Sequence, residues 1–204
     1  MRNKRGTRPC HTAAGTWARN NNKREASTDS AAAASPQVRL RPAAPDDLPG
    51  LCDLEAACFP GYYAPHRLTP RHFVALLRSP HRLCILALRN ATLLGYVSGT
   101  VLPSSQSAAR VDSLAVMPEA RGQGVGSRLL DHFLHTAMLR GCRQVRLEVA
   151  IPNQTGLRFF QQRGFSPIRR LTDYYSPQVD GLLMYLTLNG PQRHARPGFA
   201  TPSS

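Results

Sequence analysis

Along the chain the apolar residues follow two different periods. Gln37-Val38-Arg39-Leu40-Arg41 alternates, as a strand with one buried face does. Pro45, Asp46 and Asp47 then open a helix, because proline suits a first turn and acids suit its positive end. Leu48, Leu51, Leu54 and Glu55 follow at helical spacing, and Pro60 marks the stop. A loop over 60–68 contains Tyr62 and Tyr63, and a short helix after Pro70 carries Phe73, Leu76 and Leu77. Three strand candidates come next, Arg82 to Leu88, Leu93 to Leu102 and Ala109 to Val116, separated by turns at 90–92 and 103–107. The period then changes. Val125, Leu129, Phe133 and Ala137 recur at every fourth position, with Leu130 and Leu134 beside them, and predict a long amphipathic helix that Gly141 ends. Val145, Leu147 and Val149 alternate as a strand. Asn153 caps a third clear helix through Leu157 and Phe160, ending at Gly164, and Phe165 to Tyr175 and Gly181 to Leu188 close as strands. The order β-α-α-β-β-β-α-β-α-β-β is an α/β fold, a mixed sheet of about seven strands flanked by about four helices.

Composition refines this. Residues 1–36 have no apolar period and read as a disordered basic extension; 37–188 form the domain; 189–204, rich in proline and polar residues, read as a disordered tail. The extension is poor in acids up to Arg24, which leaves an organelle transit peptide as the alternative to a plain basic tail. No apolar run approaches the roughly 20 residues of a membrane helix. The net charge is +14, of which +5 falls in residues 1–37 and +2 in 189–204, so the domain carries +7. Nucleic-acid binding is therefore expected only nonspecifically, through the extension. The five cysteines, at 10, 52, 58, 84 and 142, form no C-x-x-C pair and read as reduced thiols of a cytoplasmic protein. His132 and His135 lie three apart on the long helix without a third ligand, so no metal is expected.

The chemistry points to one loop. Arg121-Gly122-Gln123-Gly124-Val125-Gly126 joins a strand to the long helix. Glycines there leave the backbone accessible, and the amides of a helix's first turn have no partner within the helix, so the loop suits a phosphate or pyrophosphate. A P-loop is excluded, because no Lys-Ser/Thr follows. A dinucleotide turn G-x-G-x-x-G fits poorly: counted from Gly122, its third glycine falls on Ser127, and four residues separate the loop from the strand. Glu148 stands where a ribose carboxylate would, yet three consecutive strands upstream do not match alternating βαβ units.

The stretch Val111-Asp112-Ser113-Leu114-Ala115-Val116-Met117-Pro118, followed by R-G-Q-G-V-G, resembles motif A of the GNAT acetyltransferases, [RQ]-x-x-G-x-[GA]. Leu147-Glu148-Val149, Asn153 and Phe159 to Phe165 resemble that family's motif B, and the likeness is nearest to RimI-type protein N-terminal acetyltransferases. It covers about residues 37–188 and is tightest over 111–175. The resemblance implies acetyl-CoA as acetyl donor and a primary amine, foremost a protein N-terminus, as acceptor. It places the pantetheine arm along Leu114, Ala115 and Val116 and the pyrophosphate on Gly122, Gln123, Gly124, Val125, Gly126 and Ser127, with Arg121 beside it. Asn153 and Phe160 would lie near the thioester.

Acetyl transfer to an amine needs a base for the ammonium, a donor for the tetrahedral oxygen and a proton for the leaving thiolate. Glu148 alternates out of the apolar face of its strand, and the family likeness makes it the base; the plain reading is an ion pair with Arg146. Asp112 is a spare base. Where RimI-type enzymes have a tyrosine, this chain has Phe160, which donates no proton. Tyr174 and Tyr175 are the expected substitutes, and Tyr62 and Tyr63 belong to the acceptor loop by position. A small-molecule amine, a lysine side chain, or a catalytically weak acyl-CoA-binding module remain the alternatives.

Overall fold

The computed structural model describes residues 37–59, 61–102 and 108–188. The expected extension, the tail and the 103–107 turn lie outside them. Along the chain run β1 (Arg39–Pro42), α1 (Leu48–Cys58), α2 (Pro70–Arg78), β2 (Arg82–Arg89), β3 (Thr92–Val101), β4 (Ala108–Val116), α3 (Val125–Leu139), β5 (Gln144–Ala150), α4 (Gln154–Gln162), β6 (Ser166–Ser176) and β7 (Val179–Thr187). This is the predicted order. Several strand ends shift by one or two residues, and two differences are larger: Gly61–His66 of the expected loop forms a 3-10 helix, and Pro45–Asp47 forms a separate 3-10 turn, so α1 starts at Leu48. Asp47 is drawn off the helix end, because its carboxylate accepts from Arg41 at 2.6 and 2.7 Å and from the Ala44 amide at 2.7 Å.

The seven strands form one sheet in the order β1-β2-β3-β4-β5-β7-β6. Every neighbouring pair is antiparallel except β4 and β5. That parallel pair exists because α3 returns the chain across the sheet between them. Both faces of β2 are apolar, and alternate residues serve different layers. Ile85 and Ala87 join the core under α3 and α4 with Leu129, Phe133 and Leu157. Cys84 and Leu86 join the core under α1 and α2 with Leu51, Phe73 and Tyr96.

The closest approach between helix and sheet is at Gly99. A Cβ built there would lie 2.1 Å from the Arg110 carbonyl oxygen and 2.7 Å from the Phe133 ring. Neither neighbour can withdraw: one is ladder backbone, the other a fully buried ring. Gly99→Ala is therefore expected to destabilise the fold by about 3 kcal/mol, read as a lowered midpoint in urea at unchanged slope.

Candidate active site

The site originates in a fault in the sheet. Among the described residues, β4 and β5 pair only from Ala108 to Arg110 against Gln144 to Arg146. Beyond that they part. A bulge makes the separation: Ser113 pairs with Ser98 and Val111 with Gly99, so Asp112 is an extra residue that twists β4 away. The Met117 amide donates to the Leu94 carbonyl at 2.9 Å. Antiparallel ladders alternate, so Ala115 also turns its backbone groups to β3, while those of Leu114 and Val116 face the gap. The gap thus offers a strand edge in the interior of a sheet.

The gap ends at α3. Gly124 caps that helix in the left-handed conformation, φ 77°, and no side chain bonds the first-turn amides. Gly122 also has positive φ, 73°. A Cβ on either would touch nothing within 4 Å, so the loop backbone lies bare. Val125 is core, 1% exposed, and contributes an amide rather than a side chain. The gap opens into a cavity of about 450 Å³, walled by Asp112 to Leu114 of β4 and Glu148 of β5, with Asn153, Phe160, Tyr63, Tyr174 and Tyr175 around it.

The acetyltransferase (GNAT) family model matches residues 48–165, more than half of the chain. The chain belongs to the GNAT acetyltransferase family. N-alpha-acetyltransferase 30 of Schizosaccharomyces pombe is 29% identical over 101 residues, 50% of this chain and 58% of that protein. A putative ribosomal protein bS18-alanine N-acetyltransferase of Bacillus subtilis is 23% identical over 71% of this chain and 91% of its own length. The matches to the first two curated relatives span less than two thirds of those proteins' lengths. The crystal structure of the Escherichia coli ribosomal-protein-S18-alanine N-acetyltransferase superposes with TM-score 0.68 at 19% identity, covering 78% of this chain and 99% of that one. The Arabidopsis thaliana NAA60 complex with acetyl-CoA gives 0.65 at 22%, covering 76% and 100%.

The residues present fit the family's donor substrate. An extended pantetheine arm needs exposed backbone donors and acceptors, which Leu114 and the Val116 amide present; the Val116 carbonyl is already engaged within the protein. A pyrophosphate needs bare amides at a helix N-terminus, which Gly124 to Ser127 present. Two details depart from expectation. Arg121 donates from Nε to the Val116 carbonyl oxygen at 3.1 Å, and the Cys58 thiol approaches the same oxygen at 3.4 Å. Gln123 is tied to the protein itself, accepting from Arg89 at 2.8 Å and donating to the Glu119 carbonyl at 2.7 Å.

Glu148 is half-buried, and its partner is not Arg146 but Arg110 of β4, at 3.3 Å. Arg146 stands directly beside Arg110 in the parallel register and is exposed. Arg110 also reaches Asp112 at 3.4 Å, so one guanidinium spans both candidate bases. Burial pushes the Asp112 carboxyl above its ordinary range, against the pull of Arg110 and Arg82.

The bulge in β6 between Leu171 and Ser176, with Asp173 at φ 50°, explains how two consecutive tyrosines reach one cavity. In a regular strand they would face opposite sides. Tyr175 is 7% exposed, and its ring meets Tyr63 at 4.9 Å and Tyr174 at 5.0 Å between centroids. His66 stacks on Tyr174 at 5.6 Å and approaches the Tyr175 carbonyl oxygen at 3.1 Å. Burial raises the pKa of Tyr63, Tyr174 and Tyr175, so all three phenols keep their protons at neutral pH.

Sequence reasoning gave Tyr63 a place but no role. Its hydroxyl accepts from the Ala150 amide at 3.2 Å and from Asn153 Nδ2 at 3.0 Å. Both lone pairs are thereby used, and its proton is left for a further acceptor. Asn153 is committed on both sides, since Oδ1 accepts from the Gly156 amide at 2.9 Å as the cap of α4. Phe160 is buried against Phe159 and Phe165.

Glu55 is the other residue the pattern undersold. It sits on the apolar stripe of α1, is 3% exposed and also lines the cavity. Tyr96 donates to its carboxylate; Ser113 does so at 3.2 Å and the Leu68 amide at 2.8 Å. Burial outweighs these donors and raises its pKa above the ordinary 4.5. The folded chain then keeps a proton that the unfolded chain releases. Stability falls as pH climbs from about 4.5 through the raised pKa, and is flat above it. Glu55→Gln removes this slope, so its stability relative to wild type should improve between pH 4 and pH 7, measured by urea denaturation.

Proposed function

We propose that this protein is an acetyl-CoA-dependent N-acetyltransferase whose acceptor is the N-terminal amine of a protein or peptide. One observation carries the reading. The free edge of β4 and the uncapped N-terminus of α3 form a continuous backbone track, and it leads to a half-buried carboxylate, Glu148, beside a tyrosine-lined cavity. The relatives named for protein N-terminal acetylation support the choice of acceptor.

Acetyl-CoA supplies the activated acyl group. The backbone of Leu114, Ala115 and Val116 orients the thioester arm, and the amides from Gly122 to Ser127 hold the pyrophosphate. Glu148 takes a proton from the acceptor ammonium, directly or through a water, and Arg110 keeps its carboxylate aimed. The freed amine forms the new C–N bond as the C–S bond breaks. The thiolate receives its proton from the tyrosine cluster. Among Tyr63, Tyr174 and Tyr175, Tyr63 is the best placed, because its two acceptor sites are filled and it leans on Asn153. Tyr174, Tyr175 and His66 wall the acceptor side. The four described cysteines are unpaired, which suits reduced thiols and supports a cytoplasmic location. No described helix is long and apolar enough to cross a membrane.

The test is transfer of labelled acetyl from acetyl-CoA to matched peptides. A peptide with a free N-terminus should accept; the same peptide with a blocked N-terminus and an internal lysine should not. Labelling only of the lysine peptide would refute the acceptor. Phe160 in the place of the family tyrosine favours a second reading, a weak acyl-CoA-binding module. Tyr63→Phe is expected to lower kcat by roughly tenfold or more with little change in KM, and Phe160→Tyr to restore part of that loss. Acetyl-CoA binding without transfer to any amine, in wild type and Phe160→Tyr alike, would establish the binding module instead.

A further inference from the structure

The sheet register lines up basic residues across strands far apart in sequence. Arg82 of β2 lies opposite Thr100 of β3, Thr100 opposite Arg110 of β4, Arg110 beside Arg146 of β5, and Arg146 opposite Tyr185 of β7. Directly opposed residues share a face, so these five side chains form one row on one side of the sheet. It is the side of α1 and α2, because Arg82 is two residues from Cys84, which packs into that layer. The helices stop short of the row: Arg82, Arg110, Arg146 and Tyr185 are all exposed. At about 4.8 Å per strand, Arg82 and Arg146 stand roughly 14 Å apart.

Like charges on neighbouring strands repel. Among the described residues only Arg110 of the row reaches carboxylates at ion-pair distance, Asp112 and Glu148; Arg82 acts on Asp112 from farther off, and Arg146 forms no ion pair. With three arginines against two carboxylates the row keeps a net positive charge, and it runs from the cavity wall at Arg82 and Arg110 to the exposed Arg146. It is continuous with the site, since its middle member touches Glu148 at 3.3 Å. An acceptor polypeptide whose first amine reaches Glu148 has to leave the site across this surface or beside it.

We infer that the Arg82–Arg110–Arg146 row binds acidic side chains of the acceptor just after its N-terminal residue, so that the preferred substrates are N-termini followed by aspartate or glutamate. The inference rests on the N-terminal acceptor proposed above. From Arg110 at the base the row runs about 10 Å to Arg82 on one side and about 5 Å to Arg146 on the other; an extended chain advances about 3.3 Å per residue, so this charge lies within reach of the second to about the fourth acceptor residue. A nucleic acid would also meet the charge. The polypeptide is favoured because the row has the base at its middle member rather than lying on a separate face.

The test uses the full-length protein saturated with CoA and two peptides labelled at the C-terminus. Both begin with a free alanine; one continues with acidic residues, the other with their amides. At low ionic strength the acidic peptide should bind roughly tenfold tighter by fluorescence anisotropy. The Arg82→Gln/Arg146→Gln double variant, and salt near 0.5 M, should erase most of that difference and leave the amide peptide unchanged. Equal binding of the two peptides to wild type, or a preference that survives in the double variant, would overturn the inference. So would a single-stranded oligonucleotide that binds through the same arginines more tightly than the acidic peptide. Binding is read without turnover. Arginine-dependent binding with no acetyl transfer would therefore refute the activity while leaving the row assigned, and transfer without acid preference would refute the row alone.

Discussion

Replacing Glu148 with glutamine should lower kcat/KM by roughly 10²–10⁴ at pH 7. A free N-terminal amine has a pKa near 8, so at neutral pH most of it is protonated and cannot attack. Glutamine keeps the size of the side chain and a hydrogen bond to the amine, but it accepts no proton. The deficit should therefore shrink as pH rises past 8 and the amine loses its proton to solvent. Arg110 makes a second readout available. Without Glu148 it still has Asp112 at 3.4 Å, so the variant should stay folded and bind acetyl-CoA as before. Equal rates for wild type and Glu148→Gln across the pH range would transfer the role to Asp112 or to water.

The second large effect concerns the donor substrate. Gly124 has φ 77°, where a β-branched residue is strained, and it fronts the open amides of α3. Nothing in the protein opposes a side chain there, so Gly124→Val should fold, at a cost of about 1–2 kcal/mol. The new isopropyl group would stand where the pyrophosphate must lie. Acetyl-CoA affinity by calorimetry should drop by roughly 100-fold or more, since both the hydrogen bonds and the dipole contact are lost. Gly126→Ala is the contrast. Its Cβ would sit 3.5 Å from Val116 and 3.6 Å from Phe159, an ordinary packing distance, so the fold should tolerate it. Undiminished affinity in a folded Gly124→Val protein would remove the cofactor assignment.

Much of this was legible before any coordinates. The period-four stripe of α3 and the alternation in β5 are properties of local sequence, and both elements lie where the pattern put them. The glycine loop was readable because few backbones need several glycines before a long helix. What stayed hidden depends on register between distant strands. Nothing in Val111-Asp112-Ser113 says that Asp112 is an extra residue, yet that bulge opens the gap. Arg110 and Glu148 are 38 positions apart, and only the parallel pairing reveals that Arg110 takes the place expected of Arg146. Tyr174 and Tyr175 were noticed as a pair, but a bulge was needed to turn both toward one cavity. The sequence places Tyr63 in the acceptor loop by position but shows no role for it, because that role comes from contacts with residues 87 and 90 positions downstream. Glu55 looked like one polar residue on a helix, and its burial under Tyr96 is a tertiary fact.

The short parallel seam between β4 and β5 also shapes how the protein assembles. On one side β1 to β4 form antiparallel pairs closed mostly by short connections; on the other, β7 bridges β5 and β6. Among the described residues the two halves of the sheet share three aligned residue pairs, and the whole of α3 lies between the two strands in sequence. Joining them closes a long loop for little ladder energy, so the seam depends on the core beneath it, where Val111, Leu147 and Phe133 are buried in one cluster, more than on its own backbone bonds. A ligand lying along that edge acts as the strand the sheet lacks. The backbone groups such a ligand would use, at Leu114 and Val116, are those of β4 that the seam at Ala108 to Arg110 leaves without a neighbouring strand.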